Sequence, residues 1–294
     1  MRFEIFFLGT SAGIPSKNRN MPCIAIRFDG YVYLFDVGEC CQKQLIKYKV
    51  GYGSIRNIFI THTHMDHFLG VYGLIETLRM TTDIKFEELN IHAPKGFSEL
   101  LLNRWDFINV EKIRQGTIKR IKDVEIKAFK TKHNGRSYGF VVEEKERIKF
   151  DVKKAEYFGI KGKMFRRIEE KGELIIKGRK IKLEEISKKI KGRKIVYTGD
   201  TAYCENTIRF AKDSDILIHE ATFEEALEEE ARKTAHSTTK DAAIIAEKAN
   251  VKTLVLTHIS ARYKEEDEEK LKKEAEKYFS GKVVVAKDGL KIEI

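Results

Sequence analysis

Apolar residues fall into short runs along this chain, with polar stretches between them. The segments 3 to 8, 23 to 28, 31 to 36, 58 to 61, 89 to 93, 194 to 197, 216 to 219 and 253 to 257 are four to six residues long and predict strands. Asp29-Gly30, between the second and third, predicts a two-residue hairpin turn. Residues 39 to 49, 68 to 80, 96 to 104 and 238 to 249 read as helices. Strands alternating with helices predict an α/β layered fold. Between residues 151 and 191 the pattern gives way to crowded Lys, Arg, Gly and Glu, which predicts an insertion within one domain spanning 1 to 294.

Composition narrows the class. The chain has 294 residues, 42% hydrophobic and 34% charged, with three Pro, a folded rather than disordered balance. The opening apolar run ends at Leu8, too short for a signal peptide, and no 18-residue apolar span follows, so a cytoplasmic protein without membrane association is expected. The four Cys lack CxxC spacing, which argues for reduced, mostly buried thiols rather than a thiolate zinc site or disulfide framework. A net charge of +11 favours a polyanionic partner. Abundant Lys and Glu with scarce Gln is a bias of hyperthermophile proteins and speaks only to habitat.

The densest chemistry is in T-H-T-H-M-D-H, where His62, His64, Asp66 and His67 follow the apolar segment IFI and precede a helical pattern. A strand-to-helix junction is where an open α/β sheet presents ligands. Imidazole nitrogen and carboxylate oxygen are zinc donors, and four within six positions exceed what one helix cap needs. His133 follows EIKAFKTK, Asp200 lies in IVYTGDT and His258 ends TLVLT, each where a strand meets a loop.

With these residues in place, the chain resembles the metallo-β-lactamase superfamily, whose HxHxDH motif is matched by residues 62 to 67. The resemblance implies a four-layer αβ/βα sandwich and two zinc ions per subunit. It places His62, His64 and His133 on one ion and Asp66, His67 and His258 on the other, with Asp200 bridging.

Other segments narrow the resemblance to the ribonuclease Z family. P-S-K-N-R-N at 15 to 20 is similar to the family's PxKxRN loop, which makes Lys17 and Arg19 candidate RNA contacts. FDVGECCQKQ resembles FDxGExxQ, with Asp36 expected as a structural acid and not a ligand. His219-Glu220-Ala221-Thr222 and AHSTT match two further motifs. They imply His236 as general acid with Glu220 orienting it, and Asp66 as a ligand that also positions the attacking water. His219 and His92 read as structural histidines, and Arg262 in LTHISARY as a possible phosphate contact.

The interval from His133 to Asp200 holds the basic insertion, where the family carries a protruding tRNA-binding arm. Its expected contacts are Lys161, Lys163, Arg166 and Arg167, with Gly162-Lys163 standing where the bacterial pattern has Gly-Pro. The implied activity is endonucleolytic removal of the 3′ trailer from precursor tRNA by a homodimer. The competing expectations are a two-metal hydrolase of a small phosphodiester or ester, and an RNA-binding module on a decayed hydrolase fold. The first has no use for the basic arm, and the intact ligand set argues against the second.

Overall fold

The computed structural model describes residues 2–81, 88–101, 105–133 and 135–294. The strand Glu4–Gly9 buries every residue after its first, so both of its faces are covered. What covers them is a second sheet on one side and helices on the other. One seven-stranded sheet runs, edge to edge, Lys291–Glu293, Glu4–Gly9, Cys23–Phe28, Tyr31–Phe35, Ile55–Phe59, Leu89–Ala93 and Ile108–Lys112. The other runs Lys282–Val285, Thr253–Thr257, Ile216–Glu220, Lys194–Tyr197, Tyr138–Glu144, Val124–Lys130 and Gly116–Ile121. Both are mixed: Tyr31–Phe35 pairs in parallel with Ile55–Phe59, and the four strands from Lys194 onward pair in parallel.

The hairpin closes as the Asp29-Gly30 pair requires. Phe28 faces Tyr31, and both turn residues have positive φ, 51° and 80°.

Aromatic rings fill the space between the sheets. Phe35 stacks on Phe59 with centroids 4.9 Å apart, and Phe140 from the opposite sheet meets Phe35 at 5.6 Å. Leu45, Leu74 and Leu78 from the helices Cys41–Lys47 and Gly70–Met80 cover the outer face of the first sheet against Leu34, Ile58 and Ile91. Ala242, Ile245 and Ala246 of Thr239–Lys248, with Leu271 of Glu268–Glu276, cover the second over Leu217, Leu254 and Leu256. The order helix, sheet, sheet, helix is the four-layer αβ/βα sandwich expected from the sequence.

Two local expectations change. The helix expected at 96 to 104 is a single 3-10 turn, Phe97–Glu99, among the described residues, and 102–104 lie outside them. Phe97 is buried in the core and Leu101 packs against it, while Leu100 between them is exposed. Of the four free cysteines Cys23 and Cys41 are buried, but Cys40 is exposed and Cys204 half-buried.

Residues Glu143–Arg193 form a second compact unit. Arg147–Phe150 pairs with Ser187–Ile190, and Glu173–Ile176 with Arg179–Lys182. Ala155, Ile160, Ile168, Ile181 and Ile186 give the unit its own small core. Its two chain ends are tied together by Arg193, whose guanidinium meets both carboxylate oxygens of Glu144 at 2.9 Å.

Candidate active site

The strand Ile55–Phe59 runs out into the loop Thr61–His64, and a helical turn at Met65–Phe68 follows. Asp36 holds this loop from beneath. Fully buried, it accepts hydrogen bonds from Thr61 N at 2.8 Å, Thr61 Oγ1 at 2.9 Å, His67 Nδ1 at 2.7 Å and Tyr197 OH at 2.8 Å. It does so with φ at 55°, a strained value that the surrounding donors over-determine. This is the role of a structural acid.

The histidines are held so that their other nitrogens stay available. The Thr61 hydroxyl gives its proton to Asp36, so its oxygen accepts from His62 Nδ1 at 3.0 Å. Thr222 repeats the device, giving its proton to Glu220 at 2.7 Å and accepting from His258 Nδ1 at 2.9 Å. His67 Nδ1 donates to Asp36, and His133 Nδ1 donates to the Ala235 carbonyl at 2.9 Å. In all four rings an acceptor holds Nδ1–H, so the neutral imidazole would present Nε2 to a metal ion, the arrangement by which neighbouring acceptors orient metal-binding histidines. His64 differs: its Nδ1 is the atom that approaches His133 Nε2, at 3.2 Å.

These atoms converge on Asp200, which is buried. Asp200 Oδ2 lies 3.3 Å from His67 Nε2, 3.6 Å from His62 Nε2 and 3.9 Å from His133 Nε2; Oδ1 lies 3.3 Å from His258 Nε2. Asp66 Oδ2 is 3.5 Å from His67 Nε2 and 3.6 Å from His258 Nε2. Donors bound at about 2.0–2.1 Å to one tetrahedral ion lie about 3.3–3.4 Å apart, close to these separations. His62, His64, His133 and Asp200 form one metal-competent group, Asp66, His67 and His258 a second, and Asp200, His236 and His258 a third that overlaps both.

The chemistry of the donors fits cations. The Nε2 atoms of His62, His67 and His258 and Oδ1 of Asp200 are buried without a hydrogen-bond partner, a cost that bound cations would remove. Burial works against the charge on Asp200, yet His258 and His67 hold its carboxyl well below the usual range. Asp66 is likewise held low against burial by His258 and His67. Gly199, just before Asp200, has φ +58°, and a Cβ there would lie 2.6 Å from Thr61 Cγ2, so only glycine lets the two loops approach.

A second pair stands beside the cluster. His236 Nδ1 meets Glu220 Oε1 at 2.8 Å, and its ring lies 4.8 Å from His133 and 5.4 Å from His258. The chain turns into it through Ala235, left-handed at φ 55° after the helix Glu228–Thr234. Glu220 is buried and also accepts from Thr201 N, Thr222 Oγ1 and Ser237 N, so both oxygens are fixed in place. Burial disfavours charge on His236, but the Glu220 carboxylate outweighs it and the imidazole is pushed up to about 9.

Comparison with known proteins follows the same lines. A family model described as "Beta-lactamase superfamily domain" matches residues 185–259, and one described as "Anti-Pycsar protein Apyc1" matches 3–105. Ribonuclease Z of Archaeoglobus fulgidus is 40% identical over 100% of this chain and 98% of its own length. That of Haloferax volcanii is 36% identical over 100% and 96%. The chain belongs to the ribonuclease Z family. Among solved structures, the short form of human tRNase Z is 27% identical with TM-score 0.68, covering 98% of each chain. The metallo-β-lactamase fold protein YhfI from Bacillus subtilis, 21% identical with TM-score 0.75 over 100% of both chains, shares the fold. As a ribonuclease Z family enzyme of the metallo-β-lactamase fold, the protein uses divalent metal.

In this ribonuclease Z family enzyme the loop at 15 to 20 divides. Lys17 is exposed. Arg19 is buried and spends its guanidinium on Thr10 Oγ1, the Ala286 carbonyl and Glu268, which removes it as an RNA contact and corrects that expectation. Lys161, Lys163, Arg166 and Arg167 are exposed on the unit Glu143–Arg193, Arg166 also meeting Glu170 at 2.9 Å. Arg262 is exposed and lies over the Phe223 ring at 5.0 Å. His92 stacks on Phe59 at 4.7 Å and bonds Asn57, and His219 bonds the Glu220 carbonyl; neither belongs to the metal-competent groups.

The sequence analysis gave no role to Thr61 or Thr222, although both stand inside its motifs. Nor did it find Gly13, whose backbone N–H reaches Asp66 Oδ2 at 3.1 Å.

Proposed function

We propose that this protein is a two-zinc, cytoplasmic endoribonuclease that removes the 3′ trailer of precursor tRNA. It cuts after the discriminator nucleotide, leaving a 3′-hydroxyl on the tRNA and a 5′-phosphate on the trailer. The observation that carries the reading is the His236–Glu220 pair standing against a cluster of seven converging donors. The printed names of the archaeal relatives and of the human neighbour support the substrate class.

His62, His64 and His133 would hold one zinc, Asp66, His67 and His258 the other, and Asp200 would serve both. Bound divalent cations supply a nucleophile at neutral pH and Lewis-acid stabilisation of phosphate oxygens. Asp66, fixed by Gly13 N–H, positions the attacking water. His236, held by Glu220 through Nδ1, offers its Nε2 proton to the departing 3′-oxygen. Glu220, with both oxygens occupied, orients this imidazole and balances its charge.

In this reading residues 151 to 191 are the tRNA-binding arm. Lys161, Lys163, Arg166 and Arg167, with Lys17 on the loop at 15 to 20, contact phosphates and release counterions, so that shape rather than sequence is recognised. Two copies form a homodimer in which the arm of one holds tRNA for the site of the other. A fully active monomer in sedimentation would reject the dimer.

Deleting residues 155 to 185 tests the reading. The segment lies within a unit that has its own core, so the deletion leaves the two large sheets intact. Cleavage of precursor tRNA is expected to collapse while hydrolysis of bis(p-nitrophenyl) phosphate persists. Undiminished tRNA cleavage would reject the arm. An intact protein that hydrolyses only the small diester would move the function to a small-molecule substrate.

A further inference from the structure

The loop from Thr10 to Asn20 touches the second metal-competent group at two points. Gly13 N–H donates to Asp66 Oδ2 at 3.1 Å. Thr10 accepts from Ile259 N at 2.9 Å, and Ser11 and Ala12 pair in parallel with Ile259 and Ser260, directly after His258. Wherever this loop goes, the backbone beside Asp66 and His258 goes with it.

A buried polar knot holds the loop, and its centre is Arg19. Arg19 Nη1 donates to Thr10 Oγ1 at 2.7 Å and to the Ala286 carbonyl at 2.6 Å, while Nη2 donates to Glu268 Oε1 at 2.7 Å. Glu268 begins the helix Glu268–Glu276, and its other oxygen meets Lys287 Nζ at 2.7 Å. Asp288 completes the knot, accepting from Thr10 Oγ1 at 2.8 Å, Asn20 N at 2.7 Å and Gln44 Nε2 at 2.9 Å. One guanidinium thus ties both ends of the loop to the C-terminal part of the chain, some 250 residues away in sequence.

We propose that Arg19 is a positioning residue for the reaction: its buried clamp on Thr10, Ala286 and Glu268 sets the loop that aligns Asp66 and presents Lys17 to the substrate. The part of this that concerns RNA rests on the function proposed above. The part that concerns Asp66 does not.

A clamp and a phosphate contact respond differently to a conservative change. Lysine keeps the charge and serves a phosphate as a point charge. It cannot span two separated acceptor sets, because its donors sit on one nitrogen and not on a planar fork. Arg19→Lys is therefore close to wild type for a phosphate contact and defective for a clamp. Glu268→Gln attacks the same clamp from the protein side without touching the loop.

The test compares wild type, Arg19→Lys, Glu268→Gln and Lys17→Ala. Three quantities are read: hydrogen exchange of the amides from 11 to 20, kcat and KM on bis(p-nitrophenyl) phosphate, and the salt dependence of precursor tRNA binding in EDTA. The two clamp variants are expected to speed exchange of the Gly13 amide at least about tenfold and to lower kcat with little change in KM. Their slope of log affinity against log salt is expected to fall towards that of Lys17→Ala, which is itself flattened by about 0.7–0.9. Arg19→Lys with wild-type exchange and kcat would overturn the proposal, as would a slope left at the wild-type value in Glu268→Gln. Should wild type fail to cleave precursor tRNA, the proposed substrate falls, and exchange with diester turnover still decides the clamp.

Discussion

Asp36→Asn is an isosteric change whose consequences can be worked through atom by atom. Asparagine tolerates the positive φ of 55° at this position, so the backbone is expected to hold. Around the side chain stand the donors Thr61 N, Thr61 Oγ1, His67 Nδ1 and Tyr197 OH. The two hydroxyls can rotate to accept from an amide, but the Thr61 N–H cannot. With the amide oxygen toward Thr61 N, the NH₂ faces His67. The imidazole must then move its proton to Nε2, the atom that points at Asp200 from 3.3 Å, and His67 ceases to be a donor. With the oxygen toward His67, the Thr61 N–H is buried against a donor. Either outcome removes a charge-assisted bond worth about 1.5–3 kcal/mol, and loss of such a supporting partner typically costs about 10–100-fold in metal affinity. Zinc competition with a chelator and urea unfolding of the metal-free protein measure the two terms. Unchanged zinc affinity would refute the tautomer argument, even if stability falls.

The other expectations concern separate parts of the molecule. His236→Ala lowers turnover by roughly 10²–10⁴ while metal content stays at the wild-type level; metal lost in parallel with His64→Ala and Asp200→Ala would reject the proton-donor assignment. Gly199→Ala destabilises by at least about 1–2 kcal/mol through its left-handed backbone alone, with a further loss from the 2.6 Å approach to Thr61, and a wild-type urea midpoint would refute that reading. Replacing Lys161, Lys163, Arg166 and Arg167 together by Ala flattens the salt slope of tRNA binding by up to about 0.7–0.9 for each phosphate no longer neutralised, and an unchanged slope places tRNA binding elsewhere. Hydrogen bonds from Arg27 at 2.5 Å and from Lys291 lower the Glu4 carboxyl from 4.5 to about 2. Its contribution is therefore complete above pH 4.5 and lost as pH falls towards 2. Glu4→Gln should flatten stability across that window, and an acid limb as steep as the wild type would contradict the pairing.

The layered fold was legible where strands are covered on both faces and so read as short apolar runs, as in Glu4–Gly9 and Leu89–Ala93, whereas Ile108–Lys112 and Gly116–Ile121, which bury no residue fully, were not anticipated. The metal-competent residues were legible for a related reason: they stand at strand ends, and four of them lie within six consecutive positions. What holds them was not. Ala235 bonds His133 from 102 positions away and Tyr197 bonds Asp36 from 161, pairings no local spacing encodes. Arg19 was misread for the same reason. A basic residue in a Pro- and Asn-rich turn reads as exposed unless its partner Glu268, 249 positions on, is known. The helix expected at 96 to 104 rested on Phe97, Leu100 and Leu101, of which Phe97 is buried and Leu101 packs against the core while Leu100 is exposed, and 102–104 lie outside the described residues. Beyond Thr257 the helix Glu268–Glu276 and the strands Lys282–Val285 and Lys291–Glu293 were not anticipated, although Glu268 and Asp288 in that region anchor the active-site loop.

The central claim is that the donor cluster and the His236–Glu220 pair cut precursor tRNA at its 3′ end. Incubation of zinc-loaded protein with an end-labelled tRNA precursor carrying a 3′ trailer, mapped at single-nucleotide resolution, tests it most directly. The account predicts one cut after the discriminator nucleotide, abolished by EDTA and restored by zinc. No cut in the precursor, from protein that still hydrolyses bis(p-nitrophenyl) phosphate, would contradict it.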